Sequence, residues 1–328
     1  MATESNKKLL ILYVLDVLKE YSDFEHQLTQ ADIIGKIEGI YGMRCERRAI
    51  SRNIDFLVDY GYDIVRGDYG YFLLEREFDS SEIVYLVDSV FSSRALPSAS
   101  ATEIVKKLAG FSSVYERKAY KHLFKPNTGE KVNKQYFFNI DVLNSAIDKK
   151  KRVKFNYLSY TFNNGRVEEV KKEHVVNPYF MVNNNAKYYL VCNKVGKDTI
   201  SNYKIENIVD IEELDEKCVP ITNFVGGDRR FNEAEYIADH IYMFGGEIVN
   251  SKIQLKNDRA IGVVYEWFGT DTSIIKEGDM LIANVKADEQ SIAYWALQYA
   301  ELVKVLSPES VVNKIKGLVQ ELKASYDN

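Results

Sequence analysis

The sequence predicts a multidomain α+β protein, and three observations lead there. Apolar residues recur at helical spacing near the start, give way to strand-like runs from Lys151, and alternate between the two patterns after Asn250. At 328 residues, 46% hydrophobic and 28% charged, the chain has the balance of a globular protein able to bury several cores. Its 23 tyrosines suit sheets and half-wet recognition faces.

The first segment, Lys7 to Tyr21, carries Leu9, Leu10, Leu12, Tyr13, Val17 and Leu18 in a helical pattern, and a polar break follows. Thr29 is placed to cap a second helix through Ile33, Ile34, Ile37 and Ile40, which Gly42 ends. A third helix is expected from about Glu46 to Tyr60, with Gly61 at the C-terminal glycine position. Ile64-Val65 and Tyr71-Phe72-Leu73 are short β-prone runs joined by a turn with Gly67, Asp68 and Gly70. Three helices and a hairpin make a winged helix-turn-helix. Residues 79–125 read as mostly helical, with Pro97 and the Ser/Ala tract 98–102 as a break.

From Lys151 the runs RVKFNYLSY, EEVKKEHVVNPYFMV, AKYYLVCNKV and SNYKIENIVDIEEL read as strands. Polar turns at 163–166, 183–185 and 195–198 separate them, and Asp141 to Lys150 reads as a helix leading in. Short strands with tight turns predict a small antiparallel barrel. A loop with a helix around Glu233 to Phe244 follows. The last part alternates strand KIQLK, helix RAIGVVYEWFG, strand MLIANVKA, a helix with Trp295, and a final helix Ser310 to Tyr326. That alternation predicts a compact α+β cap. The expected divisions are 1–76, 77–134 (a helical linker or dimerisation segment), 135–217, 218–249 (a linker with a helix) and 250–328.

Arg44, Arg48 and Arg52 recur every fourth residue, with Ser51 beside them, while Ile50, Ile54 and Leu57 take another face. A helix that packs on one side and shows guanidinium groups on the other suits a DNA major groove. Arg48 and Arg52 are the expected readers of guanine edges or binders of phosphate, with Ser51 weaker in either role. Arg44 precedes the helix and is expected to grip phosphate, as is Arg66 in the wing. Arg47 lies nearer the apolar border and is read as structural. The plain alternative for the stripe is a solvated surface face.

The net charge of −5 excludes a protein coated in basic surface, so phosphate contacts must come from local patches. Cys45, Cys192 and Cys218 lack CxxC spacing, so neither a disulfide framework nor a zinc site is expected. There is no transmembrane-length apolar run and no signal-peptide pattern, which points to a cytoplasmic protein without membrane attachment. GxxxxGK[ST], GxSxG, HExxH and paired-carboxylate motifs are missing, so an enzyme is not expected, and neither is a cofactor or metal.

With these residues in hand, the chain resembles the bacterial WYL-domain transcriptional regulators. Arg48-Ala49-Ile50-Ser51-Arg52-Asn53-Ile54, with Leu57 and Gly61, resembles their recognition helix. Ala186 to Val191 is similar to the strand that names the domain, with Tyr188 at the usual tryptophan position. Asn177-Pro178-Tyr179 resembles the preceding strand, and Tyr203 to Ile208 the following one, where the two customary arginines are Lys204 and Asn207. The tail from Trp295 through Pro308 resembles the family's C-terminal extension. The resemblance implies a winged helix-turn-helix, a central Sm-like small β-barrel (the WYL domain) and a ferredoxin-like extension. It also implies a homodimer on a double-stranded DNA operator, controlled by a nucleotide or single-stranded nucleic-acid effector.

Within the barrel, Tyr157, Ser159, His174, Tyr188, Lys204 and Asn207 are the candidate ligand-binding residues. An aromatic platform flanked by cations and amides suits an unstacked base. Tyr188 and Tyr189 point to opposite faces of a strand, so at least one is expected in a core. The competing reading is an accessory protein binding RNA or single-stranded DNA through the barrel.

Overall fold

The computed structural model describes residues 8–93, 96, 98–118, 135–224 and 231–327. The expected start of the first helix at Lys7, the break at Pro97 and the helical reading beyond residue 118 lie outside them. The chain is a mixed α+β protein of two compact units, residues 1–131 and 132–328. Among the described residues, no helix is long and apolar enough to cross a membrane.

In the first unit, helices α1 (Leu10–Tyr21), α2 (Gln30–Tyr41) and α3 (Arg47–Tyr60) pack around one core. Leu10, Val14 and Leu18 of α1 meet Ile33 and Ile37 of α2 and Ile50, Ile54 and Leu57 of α3 there. Thr29 and Asp32 form a reciprocal capping box at the start of α2, each side chain accepting from the other's backbone N–H. Gly42 and Gly61 end α2 and α3 in the left-handed conformation, with φ of 66° and 115°. Strands β1 (Ile64–Arg66) and β2 (Tyr71–Leu73) pair antiparallel, Ile64 opposite Leu73 and Arg66 opposite Tyr71. Tyr71 also exchanges two backbone hydrogen bonds with Leu28, at 2.9 and 2.8 Å, which ties the hairpin to the loop before α2.

Helices α4 (Ser80–Ser92) and α5 (Ser98–Ala109) follow, with Ile83 and Val87 buried against Phe78, Val105 and Leu108. The Ser/Ala tract 98–102 belongs to α5 and is not a break. Alanine is the best helix former, and Thr102 returns its hydroxyl to the Ser98 carbonyl. Residues 112–118 fold back onto α1. The Val114 N–H donates to the Glu20 carbonyl at 2.9 Å, and the Arg117 guanidinium forks onto the Glu20 carboxylate at 2.8 and 2.6 Å.

The second unit opens with α6 (Tyr136–Asp148) and a five-stranded antiparallel sheet ordered β6-β5-β4-β3-β7. Its strands are β3 (Lys151–Asn163), β4 (Arg166–Asn184), β5 (Lys187–Lys194), β6 (Ile200–Lys204) and β7 (Ile208–Lys217). The stretch 201–214, expected as one strand, is broken by the 3-10 turn Ile205–Asn207, and its halves are the two edges of the sheet. A flat five-stranded sheet would hold its edges about 19 Å apart. The chain from Lys204 to Ile208 reaches about 14 Å at most. The sheet therefore curls until β6 and β7 approach, and the Asn139 amide of α6 donates to the Ile208 carbonyl at that point. Asn164 and Gly165, with φ of 50° and 77°, make the two-residue turn between β3 and β4. Past Tyr157 the β3–β4 ladder continues without its neighbours as a hairpin with exposed Tyr160, Phe162, Val167 and Val170.

In segment 218–249, expected as a linker with a helix, the described residues 231–243 pack against neighbouring elements. The helical reading shrinks to α7 (Glu233–Asp239), which ends at His240. Tyr236 and Met243 join Phe180, Val182, Tyr189 and Val191 on one face of the curled sheet, while Ile241 enters the next core. That core lies under a four-stranded antiparallel sheet ordered β11-β8-β10-β9. Its chain order is β8 (Ile248–Leu255), α8 (Arg259–Phe268), β9 (Ser273–Glu277), β10 (Met280–Asp288), α9 (Glu289–Gln298) and β11 (Val303–Ser307). Strand β9 went unread in the sequence because an exposed edge strand carries little apolar pattern. The last helix, α10 (Glu309–Tyr326), buries Val311 and leaves Val319, Leu322 and Tyr326 exposed.

Candidate functional site

The first site is the exposed side of α3. Burial of Ile50, Ile54 and Leu57 fixes the roll of the helix and turns Arg48 and Arg52 outward together. Both are exposed, and neither is in an ion pair among the described residues. Arg44 is also exposed and donates to the Glu38 carboxylate at 2.8 Å, a surface pair of the kind that contributes little to stability. Ser51 is half-buried and accepts from the Gln30 amide, so it also joins α2 to α3. Arg66, at the end of β1, lies over the Tyr71 ring at 5.8 Å.

One groove of about 550 Å³ brings several of these together. Its walls are the start of α2 at Thr29 and Gln30, Ser51, Arg66, and the hairpin tip with Tyr69. Arg47, read from sequence as structural, lines the same groove and is exposed. Its place near the apolar border suggested a structural role, but at the first turn of α3 a side chain has no preceding turn to lie on. No acidic residue stands in the first turn of α3, while Arg47 and Arg48 do. Cations at a helix N-terminus oppose the helix dipole, and a phosphate bound there reverses the sign of the interaction.

The second site is inside the curled sheet. Tyr157 and His174, from the sequence-derived set, meet Tyr203 and Phe155, which were not in it. Ring centroids lie 5.0 Å apart for Tyr157–Tyr203, 5.1 Å for His174–Tyr203 and 5.4 Å for Phe155–Tyr203. The Tyr203 hydroxyl and His174 Nδ1 are 3.3 Å apart, and the Asn207 amide donates to the Tyr157 hydroxyl at 3.3 Å. Burial, followed by the charges of Lys194 and Lys172, pushes the His174 imidazole below its ordinary value and keeps it neutral. Burial raises the Tyr203 phenol to about 12. The cluster therefore offers neutral rings, hydroxyls and an amide. It does not offer a charge.

The other three expected residues stand apart from this cluster. Ser159 is exposed on the projecting hairpin, its hydroxyl 3.4 Å from the Val170 carbonyl. Tyr188 is half-buried at the start of β5, within electrostatic reach of Tyr136 on α6, while Tyr189 is buried in the layer under α7. Lys204 pairs across the strands with Tyr189, and Tyr203 with Leu190, so Lys204 takes the face of β6 opposite to Tyr203. Burial and then the Lys187 charge lower the Lys204 ammonium from its usual value, with Glu206 acting the other way.

Residues 139–213, from within α6 to within β7, match the family model of the WYL domain. The resemblance read from the strands is thereby borne out: the chain carries a WYL domain. No curated protein matches the chain. Among solved structures it is similar to proteasome accessory factor B/C (PafBC) of Arthrobacter aurescens, at 15% identity and a TM-score of 0.30. That match covers 97% of this chain and 49% of the other, so the chain spans about half that protein's length. It is also similar to a protein described as CRISPR Cas-related, at 15% identity and a TM-score of 0.38, covering 100% of this chain and 88% of that one.

Proposed function

We propose that this protein is a cytoplasmic, dimeric, non-enzymatic transcription regulator whose N-terminal unit binds a double-stranded operator. The observation that carries the reading is α3. It buries Ile50, Ile54 and Leu57, presents Arg48 and Arg52, and starts beside a groove holding Arg47, Ser51 and Arg66. On this reading the three helices and hairpin are a winged helix-turn-helix, with α3 entering the major groove and Arg44 and Arg66 on phosphates. The curled sheet is an Sm-like barrel, and the βαββαβ order of the last part supports a ferredoxin-like extension. The aromatic cluster of Tyr157, His174, Tyr203 and Asn207 suits the flat face of a nucleotide or single-stranded nucleic-acid effector. Such an effector controls operator binding only by favouring one arrangement of the two DNA-binding heads over another.

The test is a fluorescence-anisotropy titration of the full chain on the DNA upstream of its own gene. Arg52→Ala is expected to weaken binding about tenfold or more, the worth of one good base or phosphate contact of roughly 1–3 kcal/mol. Unchanged affinity and unchanged operator choice would remove α3 from the interface. High affinity for single strands only, surviving deletion of residues 1–76, would replace the operator reading with that of an accessory single-strand-binding protein.

A further inference from the structure

The hairpin that β3 and β4 extend beyond the curled sheet leaves one edge of β4 open, and the charges along that edge fall into two opposite halves. Strand β5 joins β4 only from Val176 onward, and among the described residues no other strand pairs with β4 on that side before it. The last backbone bond there runs from the Val195 N–H to the Val175 carbonyl at 3.0 Å. Backbone groups of alternate residues point to the same side of a strand, so Val167, Glu169, Lys171 and Glu173 turn theirs to the open edge. The tight turn requires the same parity, because its closing pair, Asn163 and Arg166, commits the even positions of β4 to β3. Residues 166–173 are exposed apart from half-buried Glu168. An unpaired row of this kind is a template for a further strand.

The open stretch reads Glu168-Glu169-Val170-Lys171-Lys172. Laid antiparallel on a second copy of itself about Val170, it sets Glu168 opposite Lys172 and Glu169 opposite Lys171, each twice by symmetry. In that register the Glu169–Lys171 and Val167–Glu173 pairs exchange both backbone hydrogen bonds, which matches the direction of the open groups. Sliding by two residues keeps such bonds but sets Lys171 against Lys171, or Glu169 against Glu169, so charge selects one register. The neighbouring strand offers these charges no counterpart. Across the hairpin, Glu168, Glu169, Lys171 and Lys172 face Thr161, Tyr160, Leu158 and Tyr157, none of them charged. Lys171 does reach Asp210 at 2.8 Å, and Glu168 accepts from Arg166 at 2.9 Å, but these are surface pairs of small net worth. An edge guarded by charge repels a copy of itself. This edge attracts one.

We propose that residues 167–173 of β4 pair antiparallel with the same residues of a second copy of this chain, joining the two hairpins into one continuous sheet about a two-fold axis at Val170. Both copies use the same edge, so the assembly closes at two. This rests on the reading of the protein as a dimer and deepens it by naming the surface and its register.

The experiment is sedimentation velocity on the full chain over a dilution series, with thermal melting to show that each variant is folded. One variant carries Glu168→Lys and Glu169→Lys, the other Lys171→Glu and Lys172→Glu. Each opposes like charges in the self-paired register and is expected to self-associate about 100-fold more weakly than wild type. Mixed in equal amounts, the two variants oppose lysine to glutamate at every one of these positions, and the mixture is expected to regain the wild-type dimer. Mixing does not mend a hairpin that has failed to fold, so recovery reports the pairing itself. If wild type is a dimer and both variants dimerise as tightly, the dimer reading stands and this edge is not its interface. If both variants are monomeric and stay so when mixed, the proposed register is wrong. If wild type stays a monomer throughout, the edge pairing and the dimer reading fall together.

Discussion

Gly70 decides how the hairpin of the first unit meets the rest of it, and Gly70→Ala measures that junction. A methyl group at Gly70 would lie 2.4 Å from the Leu28 carbonyl carbon and oxygen and 2.8 Å from the Thr29 nitrogen. All are backbone atoms, so no flexible side chain can yield. Unstrained contact needs about 3.5–4.0 Å, so the hairpin must move away by roughly 1 Å. The two Leu28–Tyr71 backbone hydrogen bonds, at 2.9 and 2.8 Å, span that gap. At about 1 kcal/mol net each they account for roughly 2 kcal/mol. The backbone at Gly70 has φ of +157°, which strains an alanine by about a further 1 kcal/mol. The sum of about 3 kcal/mol corresponds to roughly 100-fold in a local opening equilibrium. Phe72 and Leu73 stay buried, so the base of the hairpin is expected to hold while its tip swings. Amide hydrogen exchange at Leu28 and Tyr71, followed by NMR, reads this directly. Both amides should exchange about 100-fold faster in Gly70→Ala, with α1 unchanged, and operator affinity should fall because Arg66 moves with the tip. Exchange within about threefold of wild type would show that the contact carries none of the hairpin's placement.

Three more perturbations follow from the same geometry. Tyr203→Phe removes the hydroxyl 3.3 Å from His174 and should cost about 1 kcal/mol in urea unfolding of the second unit; no change in midpoint would mean the pair is not bonded. His174 has a lowered value in the fold, so the unfolded chain binds its proton first as pH falls. The fold therefore loses stability from about pH 6.5 downward until the folded imidazole itself protonates. His174→Gln should flatten that part of a melting-temperature profile, and a profile identical to wild type would contradict it. Arg117→Ala breaks the fork onto Glu20 and bonds to the Ala109 and Ser112 carbonyls at 2.7 and 2.9 Å. With these groups about one-third exposed, a loss of about 1–2 kcal/mol is expected. Limited proteolysis near residues 112–118 should speed up accordingly, and an unchanged cleavage rate would show that the fork does not hold the segment.

The first unit was largely legible because its signals are local. Thr29, Gly42 and Gly61 mark helix ends through contacts within a few residues, and Ile50, Ile54 and Leu57 set the roll that exposes Arg48 and Arg52. The strands of the five-stranded sheet were legible as runs, but their ends were not. Ile205–Asn207 begins on Ile205 and is followed by Ile208, so it reads as strand until the curl of the sheet demands a turn. Segment 218–249 reads as a linker with a helix because its described anchors, Tyr236 and Met243 in one core and Ile241 in the next, follow no single period.

The amino-acid sequence alone determined the order of elements, the WYL resemblance and the outward arginines of α3, since each depends on spacing along the chain. Only the tertiary structure decided which side chains share a site. It placed Tyr203 with His174, moved Lys204 to the other face, and brought Arg47 into the groove with Arg66. The physical reason is strand register. A shift of one residue exchanges the two faces of a strand, and register is fixed by partners far away in sequence.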